Sequence, residues 1–365
     1  MEQSMFIEWV RKWFAPLVAG YMETVNDTKK PQTYLYKRLL RREYSVTGTY
    51  ESLSLFNHLV AADIVAMDSP LPLKDRPAGE TQSGEIVKIG MKLQLNEKQM
   101  TDLDILVAQS STKSTAEQQL VAKLFADLPR VISGVYERLE AIFLESFSSG
   151  LCVVPDSETT GTGIRIDYQI SATHQFGVEA LWSDHVNSTP IDDIQAVLDQ
   201  ADADGNSITK MWLDPTALKN LRESAQVKER FAWSINYIGQ TQVAPNNEQL
   251  SALLGATFDG ITFEVVNRSV VLQKNKTRTT VKPWKTGSVV FTNGEDLGML
   301  VWATLAEMNH PVSGVEYQTA DEFILVSKYR KNEPLAEFIT SQARALPVLT
   351  NTDQLYYLDS TTLEV

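Results

Sequence analysis

Apolar residues near the N-terminus fall at helical spacing. Phe6, Trp9, Val10, Trp13, Phe14, Leu17 and Val18 lie three or four apart, which predicts an amphipathic arm helix. Its polar face is not strongly basic, so the stripe is expected to dock on protein and not on a membrane surface. Further along, "EIVKIGMKLQL" alternates apolar and polar residues as a half-buried strand does. It follows "DSPLPLKDRPAGETQSG", which mixes proline, glycine and charge. Residues 65–97 are therefore expected to form an extended two-stranded ribbon with its tip around Lys74–Gly84. A lone hairpin of this kind is marginal in water and must rest on another surface.

The longest periodic stretch runs from Ser114 to Gly150. Leu120, Leu124, Leu128, Val131, Val135, Leu139 and Ile142 mark one apolar stripe, predicting a helix over 114–149. Ser114 with Glu117 has capping-box spacing, and Gly150 suits the stop. Pro129 is expected to kink this helix without ending it, because the periodicity continues in phase. At 1.5 Å per residue it would be roughly 50 Å long and would support elements from distant parts of the chain. Beyond it the texture changes to strands, "LCVVP" and "GIRIDYQI". An α/β unit then follows from about Pro190 to about His310. Its helices are "PIDDIQAVLDQADA", "DPTALKNLRES" and "NNEQLSALLG"; its strands include "ITKMWLD", "DGITFEVVN", "SVVLQKN", "TRTTVKPW" and "GSVVFTNG". The tail, from "EFILVSKYRK" through "LPVLTNTDQLYYLD", is strand-rich again.

Composition narrows the function. The chain has 365 residues, 43% of them hydrophobic, enough for two or three packed units. A net charge of −13 argues against a surface built to grip a nucleic-acid backbone. No apolar run approaches the roughly 20 residues of a membrane-spanning helix. Glu8, Arg11 and Lys12 interrupt the N-terminal apolar residues, so no signal-type core is expected. Cys152, the single cysteine, reads as a buried structural thiol.

Candidate chemistry is sparse. "DQADADGNSITKM" resembles a calcium loop only until Gln200 and Met211 fall on its two anchor positions, so a helix-ending turn is the expected structure. His58, His174, His185 and His310 lack the close spacing of a zinc site. "TTGTGIR" is not a phosphate loop. The acidic pairs Asp192–Asp193 and Glu295–Asp296 are ordinary solvated features. Trp212, Trp233, Trp284 and Trp302 are expected in core or subunit contacts. No catalytic, cofactor-binding or metal-ligating residue is assigned.

The order of parts, together with "MWLDPTALKNLRESAQVKERF", "LLGATFDGITFEVVN" and "KYRKNEPLAEFITSQARALPVLTNTDQLYYLD", resembles the major capsid proteins of tailed bacteriophages, specifically the lambda-like major head protein family. The resemblance implies an α+β tailed-phage capsid fold. Residues 1–64 would be the N-terminal arm and 65–97 the extended loop. A peripheral domain would span 98–189 with the spine helix 114–149. An axial domain would span 190–312, and 313–365 would return to the peripheral domain. It also implies hexamers and pentamers in an icosahedral shell around double-stranded DNA, held without sequence-specific contact. Scaffold, portal and decoration proteins would be further partners, and the location would be the virion, assembled in the host cytoplasm. Lys74, Asp75, Arg76, Glu80 and Glu85 of the ribbon, with Trp9 and Trp13 of the arm, are the expected inter-subunit contacts. Two alternatives stand beside this reading: an encapsulin-like shell around enzyme cargo, and a soluble α/β enzyme of small oligomeric state.

Overall fold

The computed structural model describes residues 1–27, 33–54, 80–110, 114–154, 163–236, 243–274, 277–333 and 335–364. Two units are present. The first comprises Met1–Tyr50, Gly84–Ala141 and Met299–Val348; the second comprises Glu51–Ser83, Ile142–Gly298 and Leu349–Val365.

The first unit is organised by a 15-residue strand, Leu335–Leu349. Along one edge it pairs antiparallel with Ile324–Asn332, in register from Ile324↔Ala343 to Asn332↔Leu335. Glu316–Ala320 extends the sheet beyond that. Along the other edge Lys88–Leu95 pairs with Glu337 through Arg344, and the strands Gly298–Ala303 and Leu40–Tyr44 continue the sheet. Strand period two puts Ile89, Met91, Leu93 and Leu95 on one half-buried face, opposite Ala343, Ser341, Ile339 and Glu337. On that face Ser341 Oγ donates to the Val131 carbonyl at 2.6 Å, locking a helix to the sheet.

The predicted spine is not one helix. Ser114–Leu124 and Leu128–Ser149 are separate, divided at Phe125–Asp127. Pro129 has no N–H to offer the Phe125 carbonyl and its ring crowds that position, so the Leu128 N–H bonds Phe125 O instead, at 3.0 Å. The second helix then begins with proline in its first turn, where a missing donor costs nothing. The Leu124 carbonyl, stranded at the end of the first helix, takes its hydrogen from Lys328 Nζ at 3.1 Å.

The arm helix forms as expected, over Ile7–Val25, and lies in this first unit. Val10, Phe14 and Val18 are buried, and Phe14 stacks on Phe125 at 5.9 Å. Each such side chain contributes about 1.5–3 kcal/mol by leaving water.

The ribbon starts earlier than predicted. Its paired strands are Thr49–Ser54 and Glu80–Glu85. "KIGMKLQL", expected as its return strand, belongs to the large sheet. Alternation identifies a strand with one buried face but not its partner, and Leu335–Leu349 supplies the longer apolar surface.

The second unit holds a five-stranded sheet in the order Gln175–Val178, Tyr356–Leu363, Ser288–Thr292, Lys210–Leu213, Thr262–Val265. The two outermost pairings are parallel and the inner two antiparallel. Ser288–Thr292, at the centre, is buried at every position. Four helices, Pro190–Ala203, Pro215–Glu223, Ala225–Ser234 and Asn247–Thr257, add Ile194, Val197, Leu221, Val227, Leu250 and Leu254 to its core. Asp214 opens the second of these as its N-cap, accepting from the Thr216 and Ala217 amides. "DGN" ends the first helix: Asp204 is its C-cap and Gly205 adopts φ 75°.

Candidate functional site

Gly48 and Ile86 flank the two ribbon strands, and their backbones are tied to one side chain. Arg344, on the long strand, donates from Nη2 to Gly48 O at 3.0 Å and from Nε to Ile86 O at 3.3 Å. The Ile86 amide closes the root by donating to Gly48 O at 3.1 Å, and the Ala345 amide donates to Val87 O at 3.2 Å. Gly48 has φ 73°, a conformation that favours glycine, and a Cβ there would fall on the Arg344 guanidinium. One step up the ribbon the Tyr50 ring lies across Gly84, where a Cβ would meet it. Burial raises the Tyr50 hydroxyl pKa. The root is thus a rigid launching point, positioned by an arginine whose donors match two backbone carbonyls.

A second polar knot holds the segment that follows the arm helix. Asp321 sits in the hairpin turn between Glu316–Ala320 and Ile324–Asn332, where both Asp321 and Glu322 adopt positive φ. Its carboxylate is 3% exposed and accepts from Arg42 at 2.7 Å, Tyr136 at 2.8 Å, Lys37 at 3.1 Å and Asn26 at 3.2 Å. Burial alone would raise this carboxyl, but Lys37 and Arg42 outweigh it and hold it below the usual carboxylate value. Lys37 moves the other way: burial lowers its pKa against the pull of Asp321, and its ammonium stands 3.8 Å over the Tyr136 ring. For this pair, the lysine is the member whose charge the site tolerates less well.

At the chain start, Glu2 pairs with Arg330 as an isolated backbone bridge, and its carboxylate accepts from Arg330 and Asn332. The Met5 amide donates to Glu337 at 2.6 Å. Residues 1–5 thereby lie as a strap along the sheet edge beyond Glu316–Ala320.

The predicted contact residues separate. Lys74, Asp75 and Arg76 lie outside the described residues. Glu80 opens the returning ribbon strand, and Glu85 ends it with an exposed side chain. Trp9 and Trp13 are half-buried on the arm helix, with Lys12 Nζ 5.9 and 5.2 Å from their ring centres and 2.7 Å from Glu117. Arg344, Gly48 and Asp321 were missed. The one local hint was a glycine at a strand boundary.

Several of the other chemistry-bearing residues are engaged structurally. His174 stacks on Tyr356 at 4.3 Å and faces Asp204 at 3.3 Å; Asp204 also accepts from the Tyr356 hydroxyl at 2.8 Å. His185 meets Glu223 and Asn220. His58 lies outside the described residues. Cys152 is fully buried. Trp212 and Trp284 are core residues, whereas Trp233 is 80% exposed. Among the described residues no group of three His, Cys, Asp or Glu side chains could hold a metal ion, and no helix is long and apolar enough to cross a membrane. A cavity of about 440 Å³ beside Ser148 has its lysine, Lys285, already paired with Asp359 at 2.8 Å.

Comparison with known proteins gives this architecture a family. The fold is similar to a putative prophage capsid protein of Escherichia coli CFT073, with TM-score 0.57 and 12% identity over 94% of this chain and 98% of that one. It is also similar to a phage-related protein of Bordetella bronchiseptica RB50, with TM-score 0.51 and 14% identity over 96% and 97%. No curated protein matches in sequence. The profile of phage major capsid protein E matches residues 18–359, nearly the whole chain. The chain therefore belongs to the phage major capsid protein E family: it has the tailed-phage capsid fold and is a structural protein of a virion shell, not an enzyme.

Proposed function

We propose that copies of this chain assemble as hexamers and pentamers of an icosahedral shell that encloses double-stranded DNA. The first unit acts as the peripheral domain and the second as the axial domain, so that 142–189 and 349–365, expected in the peripheral domain, go with the axial one, and 299–312, expected in the axial domain, goes with the peripheral one. The ribbon between Thr49 and Glu85 reaches a neighbouring subunit and is satisfied there. Lys74, Asp75 and Arg76, together with Glu80 and Glu85 of the returning strand, supply polar contacts. Trp9 and Trp13 add apolar contact from the arm. Many such contacts per subunit make the closed shell stable through multivalency. Scaffold, portal and decoration proteins would meet the shell during assembly in the host cytoplasm.

The observation that carries this reading is the Arg344 root. A pair of strands outside both larger sheets cannot stand alone, yet its base is fixed by bonds to two carbonyls. Electron microscopy and sedimentation of purified wild type and Arg344→Ala test it. Wild type should form rings and closed particles, and the variant should fold but assemble poorly. A wild type that remains a small oligomer at high concentration would refute the shell reading. Assembly around enzyme cargo without DNA would favour the compartment reading.

A further inference from the structure

Charge in the second unit is segregated by sequence and then by topology. Between Glu264 and Glu295 there is no acidic residue, while Arg268, Lys274, Lys276, Arg278, Lys282 and Lys285 occur there. Between Arg165 and Lys210 there is no lysine or arginine, and Asp192, Asp193, Asp199, Asp202 and Asp204 fall on or beside one helix. In a chain of net −13, removing the six positive charges of the first tract leaves −13 − 6 = −19 elsewhere.

The fold sends these tracts to opposite ends of one sheet. The basic tract begins directly after Thr262–Val265, the edge strand at one side. It forms an antiparallel hairpin, Val270–Lys274 with Thr277–Val281, that joins neither larger sheet. The acidic tract contains Gln175–Val178, the opposite edge strand, and helix Pro190–Ala203, which packs on that edge strand and its neighbour. Four inter-strand spacings separate the two edges, about 19 Å.

Both faces are presented to solvent. On the hairpin, Val271 and Arg278 are exposed on one side, and Lys282 is exposed just beyond it. Arg278 contacts the cross-strand Gln273, a neutral partner. On the helix, Ile191, Ile194, Val197 and Ala201 face the core, so Asp192, Asp199 and Asp202 share the outward face. Among the described residues, Asp192 and Asp199 accept from glutamine side chains, and none of these three carboxylates pairs with lysine or arginine.

We propose that this hairpin is a docking surface for a second copy of the chain. Arg278 and Lys282 of one subunit would meet Asp192, Asp199 and Asp202 of the next. The inference rests on the shell reading above and specifies one contact within it. Different patches on opposite edges make the contact heterologous, and a heterologous contact that closes generates a ring. The exposed Val271 beside Arg278 supplies apolar area at the same place. A polyanion is the poorer occupant, because the rest of the chain carries a net −19 that repels it.

Charge exchange tests the contact. The variants are Arg278→Glu with Lys282→Glu, and Asp199→Lys with Asp202→Lys, each checked for native circular dichroism and melting. Each alone should raise the concentration needed for ring assembly at least tenfold by sedimentation velocity. Mixed together they should co-assemble, because each reversed face then meets a reversed partner and each native face a native one. Alternation allows only even-numbered rings in the mixture, which electron microscopy can count. If wild type assembles and the reversed variants assemble equally well, the contact is wrong and the shell reading stands. Two folded variants that fail alone and in mixture also overturn the contact. Normal assembly with weakened retention of duplex DNA in the hairpin variant would assign the hairpin to DNA instead. A wild type that forms no ring removes both readings.

Discussion

Lys328 offers the sharpest test of the packing in the first unit. Its side chain is 1% exposed, with Nζ 3.1 Å from the Leu124 carbonyl and 5.3 Å from the centre of the Phe125 ring. Burial pushes its pKa down to about 8 from the usual 10.5, against the opposing pull of Glu337 and Asp127. The folded value lies below the unfolded one, so the unfolded chain binds more protons across that window and stability must rise with pH through it. Below pH 8 the whole cost of the buried charge is present, about 3 kcal/mol. Lys328→Met keeps the stem and removes the titration, but it leaves the Leu124 carbonyl without its lysine donor, costing about 1–3 kcal/mol. At pH 7 the two effects nearly offset. Between pH 7 and pH 10 the wild type should gain about 2–3 kcal/mol on the variant. Urea unfolding of both unassembled proteins at pH 7, 8, 9 and 10, followed by circular dichroism, measures that difference with groups common to both cancelling. Midpoints that run parallel from pH 7 to pH 10 would show that the ammonium is not buried as described.

Other residues give independent expectations. Gly48→Ala, at φ 73° and against the Arg344 guanidinium, should destabilise the first unit by about 1–3 kcal/mol, read as a lower melting temperature. A melting temperature equal to wild type would mean that the root is not held as described. Asp321→Asn breaks a buried ion pair and should cost about 3–5 kcal/mol at pH 7 in urea unfolding. Because the Asp321 carboxyl is held below its usual 3.8, that difference should persist to about pH 4 and shrink only at lower pH, as the carboxylate protonates through its depressed value. Trp212→Phe removes the buried bond from Nε1 to Thr292 Oγ1, 3.0 Å long, and should cost about 1–3 kcal/mol in the same assay.

Elements whose causes lie within a few residues were legible in the sequence. The arm helix followed from Phe6, Val10, Phe14 and Val18; Asp214 before Pro215 marked a helix start, and Gly205 a helix end. The helix break at Phe125–Asp127 was not legible, because the apolar stripe stays in phase across Pro129. Pro129 makes the break by withholding the N–H that the Phe125 carbonyl needs, and the partner that satisfies the exposed Leu124 carbonyl, Lys328, lies 204 residues away. The ribbon was recognised as an element but misplaced for a related reason. Its root depends on Arg344 meeting Gly48 across 296 residues, and no local pattern announces that pairing.

Net charge illustrates a different kind of illegibility. A total of −13 was a sound reason to doubt a nucleic-acid grip, yet a total averages over position. The basic and acidic tracts were both present in the sequence as runs. A run by itself is most often a solvated face, and each of these would be unremarkable alone. Strand order changes their meaning, because it places one run beside each edge strand of the same sheet. Two complementary faces on one edge would neutralise each other within a subunit. On opposite edges they cannot, and the charge of each stays available to the next copy in a ring.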